Sequence, residues 1–206
     1  DLNSGDADVN SKNAPTAAES DALGLVRREE VKAAMKHAWS NYVKFAWGYD
    51  ELKPLSHRGH NNWGGMGVTL VDSLDTLWVM GLKAEFKQAR DWVRDKLTFD
   101  NAGTVSVFET TIRELGGLLA AYDYSGDKVF LDKATVLGGR LEGAFDTSSG
   151  IARSSLNMRT GKGTGGWSGG AGILAELGTL QVEFRHLAHH TQNRMMEEKV
   201  MKCLKL

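Results

Sequence analysis

Glu109 and Arg113 stand four residues apart in a mostly apolar stretch, Val107 to Ser125, so a helix there carries a carboxylate and a guanidinium on one face. Asp72 and Asp75 lie one turn apart in a second apolar stretch, Val68 to Gly81. Glu176, Thr179 and Glu183 share a face of a third, Ala171 to His189. Carboxylates are expensive to bury unless paired or hydrogen-bonded. Three apolar helices that each carry them therefore invite a site hypothesis, with acid/base work as the chemistry.

Each residue also has a plain structural reading. Ser106 to Glu109 is a capping box, in which Glu109 would only tie down a helix end. Glu109–Arg113 is an ordinary i,i+4 ion pair by spacing. Asp72, near a helix start, fits the macrodipole. Glu176 and Glu183 would face water if their helix were less buried than its composition suggests. His57 and His60 lack an evident third metal ligand, and His186, His189 and His190 invite the same caution; surface histidines are the commoner reading. Trp63 and Trp167, in glycine-rich loops, either stack on a sugar ring or pin their loops. Gly161-x-Gly163-x-x-Gly166 fits the dinucleotide fingerprint literally, but no strand precedes it and no βαβ unit surrounds it.

The elements that must position these residues read as helices. Residues 1–21 are rich in Asp, Asn, Ser and Ala without an apolar period, and read as a flexible stem before a domain spanning 22–206. Val31, Met35, Ala38, Trp39, Tyr42 and Phe45 recur at helical spacing, with Gly48 placed as a C-cap. The buried-type helix at Val68 is followed by a one-faced helix with Phe86, Ala89, Val93 and Leu97 on its stripe. The helix at Val107 contains Gly116-Gly117, which permits close backbone approach. Gly126-Asp127 then breaks and recaps the chain before a second one-faced helix with Phe130, Ala134, Leu137 and Leu141. The helix at Ala171 precedes a third outer helix from Met195. Three inner–outer pairs, about 45 to 65 residues apart, make an all-α array of αα-hairpin repeats. Such an array either stacks as an open solenoid or closes as a toroid, and the pattern alone does not choose.

Composition adds exclusions. Of 206 residues 41% are hydrophobic, enough for one globular domain or part of a larger one. Lys and Arg total 25 against 26 Asp and Glu, which argues against nucleic acid as a partner. No apolar run is long enough for a membrane span. The single cysteine, Cys203, forms no internal disulfide.

DELKPLS (50–56), VTLVDSLDTLWVMGL (68–82), SVFETTIRELGGLLAAYDYSGD (106–127), RLEGAFDTSSGI (140–151) with the following SLNMRTG, and AELGTLQVEF (175–184) together resemble class I α-1,2-mannosidases, glycoside hydrolase family 47. The likeness runs from about Arg28 to the end and is greatest to Golgi-type members.

The resemblance implies part of an (αα)7 barrel with calcium at the base of an axial pocket, and hydrolysis of α-1,2-linked mannose from high-mannose N-glycans with inversion. It implies a proton-donating Glu109, a sugar-contacting Arg113, and acidic pocket residues Asp72 and Glu176. An inverting glycosidase needs one acid for the leaving oxygen and a second carboxylate to activate water, roughly 6.5–9.5 Å apart. The family's second acid, its candidate base and its calcium-binding threonine belong to motifs absent from this sequence. The resemblance thus implies a fragment inactive by itself, without the metal site. It further implies a Golgi or endoplasmic reticulum lumenal protein, membrane-anchored in its longer form, though this chain shows no anchor. Mannosidase-like lectins of the same family make a glycan-binding module the alternative.

Overall fold

The computed structural model describes residues 15–165 and 170–204. The first fourteen residues of the expected stem, and Gly166 and Trp167 of the glycine-rich loop, lie outside the described residues. The chain divides into two compact units, Asp1–Val43 and Lys44–Leu206.

The first unit is formed by most of α1 (Ala17–Ala46). This helix starts before Asp21, where the sequence reading ended the stem, and the reason is local. Thr16 and Glu19 form a reciprocal capping box: Thr16 Oγ1 accepts from the Glu19 N–H at 3.3 Å, and Glu19 Oε2 accepts from the Thr16 N–H at 2.9 Å. The expected apolar stripe holds only partly. Trp39 and Tyr42 are buried, with ring centroids 5.7 Å apart, whereas Val31 is exposed.

The second unit is the hairpin array. A short antiparallel ribbon, β1 (Glu51–Lys53) with β2 (Arg58–His60), leads through a glycine-rich loop to α2 (Val68–Asp72) and α3 (Leu74–Val79). The single helix expected from Val68 to Gly81 is thus two, broken at Ser73, whose hydroxyl donates to the Thr69 carbonyl at 2.6 Å. Val68, Leu70, Val71, Leu74 and Leu77 are buried, but Val79 is 67% exposed, so the expected burial holds on one side and not all round. The outer helix α4 (Lys83–Asp95) turns Phe86, Ala89 and Val93 inward.

The second hairpin pairs a composite inner helix with α7 (Lys128–Leu141). The inner member begins as α5 (Val107–Thr110), widens into a π-helical turn over Thr111–Leu115, and continues as α6 (Gly116–Ser125). Gly126 ends α6 in a left-handed conformation at φ 68°, and Asp127 caps α7 by accepting from the Val129 N–H at 3.0 Å. Phe130, Ala134, Leu137 and Leu141 are all buried, as their spacing predicts. Gly117 sits where a Cβ would meet the Val71 carbonyl oxygen at 2.7 Å, so its missing side chain is what lets α6 approach α2.

The third pair departs most from the pattern. Ala171 to His189 is not one buried helix: α8 (Leu174–Leu177) carries no buried residue, a turn follows, and α9 (Gln181–Thr191) is amphipathic. Leu174 is 86% and Val182 72% exposed, so apolar composition here does not mean burial. The outer partner, α10 (Arg194–Met201), packs Met196 and Val200 inward. A second small sheet, β3 (Thr104–Ser106), β4 (Ser155–Asn157) and β5 (Gly163–Thr164), ties the segment before α5 to the long glycine-rich connection. Its strands are two or three residues long, too short for alternation to register in the sequence. No helix among the described residues is long and apolar enough to cross a membrane.

Candidate active site

Arg113 is the hub. Its Nε donates to Glu109 Oε2 at 2.8 Å and its Nη1 to Asp72 Oδ2 at 3.2 Å. The structure therefore brings together three of the four site residues that the family resemblance implies, from the end of α2, from α5 and from the π-turn. Their side chains are 29–42% exposed, so the cluster is open rather than buried. Burial works against the charge of Arg113, but the two carboxylates prevail and hold the guanidinium above its ordinary value.

Ser106 Oγ accepts from the backbone N–H of Glu109 at 3.3 Å, while the carboxylate of Glu109 is turned to Arg113. The cap uses the backbone of Glu109 and leaves its side chain available for chemistry. The π-turn has a further consequence. Adjacent Arg113 and Glu114 diverge, the first half-exposed and the second 1% exposed. Wide turns of this kind are frequent at functional sites.

Trp63 closes one side of the cluster. The Arg113 guanidinium carbon lies 5.5 Å from its ring centroid. The indole Nε1 donates to Glu51 Oε1 at 3.0 Å, and the backbone N–H donates to Asp50 Oδ2 at 2.8 Å. The hydrogen bonds from Trp63 and Asn62 hold the Glu51 carboxyl below its ordinary value. Of the two roles open to Trp63, pinning its loop is met by these bonds, and its place against Arg113 leaves it beside the cluster.

Two acids that the sequence reading missed support this site. Asp50 is fully buried and accepts from the N–H groups of Trp63, Gly65 and Gly67, each at 2.8 Å, and of Val68 at 3.4 Å. It folds the glycine-rich loop around one carboxylate and so aims α2. Glu114 is buried with neither carboxylate oxygen hydrogen-bonded among the described residues, and burial, aided by Asp50 and Asp72, pushes its carboxyl well above the ordinary range. Its position was readable: Thr111, Glu114, Leu115 and Leu118 form one helical stripe.

The remaining expectations fare differently. Asp75 turns to its neighbour, accepting from the Thr76 N–H at 2.5 Å. Glu176 has no side-chain partner among the described residues, and the turn after α8 separates it from Glu183, so the two do not share a helix face. Glu183 is half-buried against Gly116, and burial raises its carboxyl. A cleft of about 590 Å³ lined by Ser149, Ile151, Leu174, Leu177 and Cys203 contains none of these three acids. His57 stacks on Phe45, with centroids 4.5 Å apart, and forms no metal cluster with His60 among the described residues.

The structure of the α-1,2-mannosidase from Trichoderma reesei matches with a TM-score of 0.80 and 29% identity, over 86% of this chain and 39% of that one. The expected all-α class and its place within an (αα)7 barrel architecture are thus borne out. The chain belongs to glycosyl hydrolase family 47, whose model matches residues 34–206. It is 48% identical to mannosyl-oligosaccharide 1,2-alpha-mannosidase MNS1 of Arabidopsis thaliana, covering 89% of this chain and 33% of that protein. It is 47% identical to mannosyl-oligosaccharide 1,2-alpha-mannosidase IA of Sus scrofa, covering 90% and 29%. A third relative, the endoplasmic reticulum mannosyl-oligosaccharide 1,2-alpha-mannosidase of Rattus norvegicus, is 46% identical over 87% of this chain and 27% of its own length. The chain spans about a third of the length of these relatives.

Calcium, which the family resemblance implies, binds through roughly six to eight oxygen donors. Among the described residues the one cluster of three metal-capable side chains is Asp123, His186 and His190, where two donors are imidazole nitrogens. That set does not fit calcium.

Proposed function

We propose that this chain contributes part of the active site of an inverting α-1,2-mannosidase that removes terminal mannose from high-mannose N-glycans in the Golgi or endoplasmic reticulum lumen. The observation that carries the reading is the meeting of Asp72 and Glu109 on the Arg113 guanidinium, beside Trp63. Family membership and relatives named mannosyl-oligosaccharide 1,2-alpha-mannosidases support the reaction class.

In this reading Glu109 is the proton donor, as the family resemblance assigns it. Arg113 orients the sugar hydroxyls and holds Glu109 in place. Asp72 fixes the far end of the guanidinium and shapes the pocket wall. Glu176, on the short helix α8, is a substrate contact that does not pair with Arg113. By the same resemblance, the second carboxylate that an inverting mechanism requires and the oxygen ligands of calcium come from other motifs of the family.

The test is turnover of an α-1,2-linked mannosyl-oligosaccharide by the longer protein that carries this chain, with the anomeric configuration of released mannose followed by NMR. β-Mannose as first product supports the proposal. Release of α-mannose contradicts inversion. Tight glycan binding without any release would establish the glycan-binding module instead.

A further inference from the structure

On the side of α6 and α9, three side chains meet that the glycosidase reading does not use. His186 Nε2 lies 2.8 Å from Asp123 Oδ2, and His190 Nε2 lies 3.2 Å from Asp123 Oδ1. The two imidazole Nε2 atoms are 3.2 Å apart. His186 and His190 are four residues apart on α9, which puts both rings on one face; Asp123 comes from the last turns of α6.

The chemistry of this triangle is unusual for an ordinary polar contact. A neutral imidazole carries one ring proton, and an ionised carboxylate carries none. If both Nε2 atoms hold protons aimed at Asp123, two N–H groups face each other across the nitrogen–nitrogen edge. If one is bare, that ring donates nothing to the carboxylate it touches. A cation seated among the three removes this conflict, because all the inward atoms then act as lone-pair donors.

The dimensions agree with such a cation. Tetrahedral zinc with bonds of about 2.0–2.1 Å sets its ligand atoms about 3.3–3.4 Å apart. The edges observed, 2.8 and 3.2 Å to the carboxylate and 3.2 Å between the nitrogens, need only small adjustment. All the ligating atoms lie within 4.8 Å of one another. The His190 ring is held edge-on against Tyr122, with centroids 5.0 Å apart at 89°. The neighbouring Arg185 pairs with Glu197 on α10 and so places its charge elsewhere.

We propose that Asp123, His186 and His190 form a zinc-class metal site that clamps the second hairpin to the third. The donors are two nitrogens and a carboxylate, and the side chains are 25–42% exposed, which leaves a fourth position for water. Imidazole favours zinc, nickel or copper over the hard oxygen-seeking cations, so this site is separate in chemistry from the calcium expected of the family.

The test is calorimetric titration of the 206-residue chain with zinc chloride, and optical titration with cobalt as a spectroscopic stand-in. One ion per chain and a tetrahedral-type cobalt spectrum are expected. His186→Ala with His190→Ala should weaken zinc at least about a hundredfold, since loss of an outer supporting group alone costs about 10- to 100-fold. Asp123→Asn should weaken it less, and His57→Ala with His60→Ala should change nothing. Zinc should raise the melting temperature of the wild type and not of the double variant. Circular dichroism checks that each variant is folded, and Asp123→Asn gives an independent reading should the double variant unfold. Equal zinc affinity in wild type and a folded triad variant, or loss of binding in the His57/His60 variant, would overturn the assignment.

Discussion

Arg113 reaches from the π-turn to Asp72, Nη1 to Oδ2 at 3.2 Å, joining positions 41 residues apart in sequence. The pair links the first inner helix to the second on their open side, while Gly117, lacking a side chain, lets the backbone of the second come up against the Val71 carbonyl of the first. Side-chain chemistry and backbone packing thus fix one geometry from two directions.

The open setting of this pair limits what it contributes to stability. Both side chains are about two-fifths exposed, so solvent screens the attraction. A double-mutant cycle with Asp72→Ala and Arg113→Ala, read by chemical denaturation, should give a coupling below about 1 kcal/mol. A coupling of several kcal/mol would make the pair a structural strut.

Ser106 caps the backbone N–H of Glu109, while the Glu109 carboxylate is turned to Arg113. Ser106→Ala removes the acceptor of the Glu109 N–H and should cost about 1 kcal/mol. Glu109→Gln leaves that bond intact and should shift the melting temperature by less than Ser106→Ala does. Reversed sizes would return Glu109 to a capping role.

Glu114 should make stability depend on pH. Its carboxyl is raised well above 4.5 in the folded state, so between the unfolded and folded values the native chain binds the extra proton. Its contribution is therefore present at low pH and is lost as pH rises through that window. Glu114→Leu fills the same buried stripe without an unsatisfied carboxyl. It should flatten that slope and raise stability above pH 7 by about 1–3 kcal/mol. Denaturation curves at several pH values decide this, and an unchanged slope would show that another group sets it.

Two glycines should respond oppositely to alanine. A Cβ at Gly117 would press on the Val71 carbonyl oxygen at 2.7 Å, and backbone cannot swing aside, so Gly117→Ala should cost about 1–3 kcal/mol. Gly139 in α7 has open space around it, and Gly139→Ala should stabilise by up to about 1 kcal/mol through helix propensity. Thermal melts of the two variants moving in the same direction would contradict the packing described here.

The legibility of the sequence followed the physics of each element. One-faced helices such as α7 announced themselves because every third or fourth residue is apolar and every one of those is buried. Asp72, Glu109 and Arg113 were legible as acids and a base in apolar helices. Glu176 and Glu183 misled because periodicity does not register the turn after α8, and composition does not reveal that Leu174 and Val182 face water. Asp50 was invisible for another reason: its partners are backbone N–H groups of a loop, which leave no side-chain pattern. The Thr16–Glu19 box was written in the sequence and sits inside the segment read as stem.

The central claim is that Glu109, held by Arg113, delivers the proton to the leaving sugar oxygen. The measurement that tests it most directly is kcat for an α-1,2-linked mannosyl-oligosaccharide in the longer protein, wild type against Glu109→Gln, with folding checked by circular dichroism. The account predicts a fall of about 10²- to 10⁴-fold with the fold intact. A folded Glu109→Gln protein turning over at the wild-type rate would contradict it.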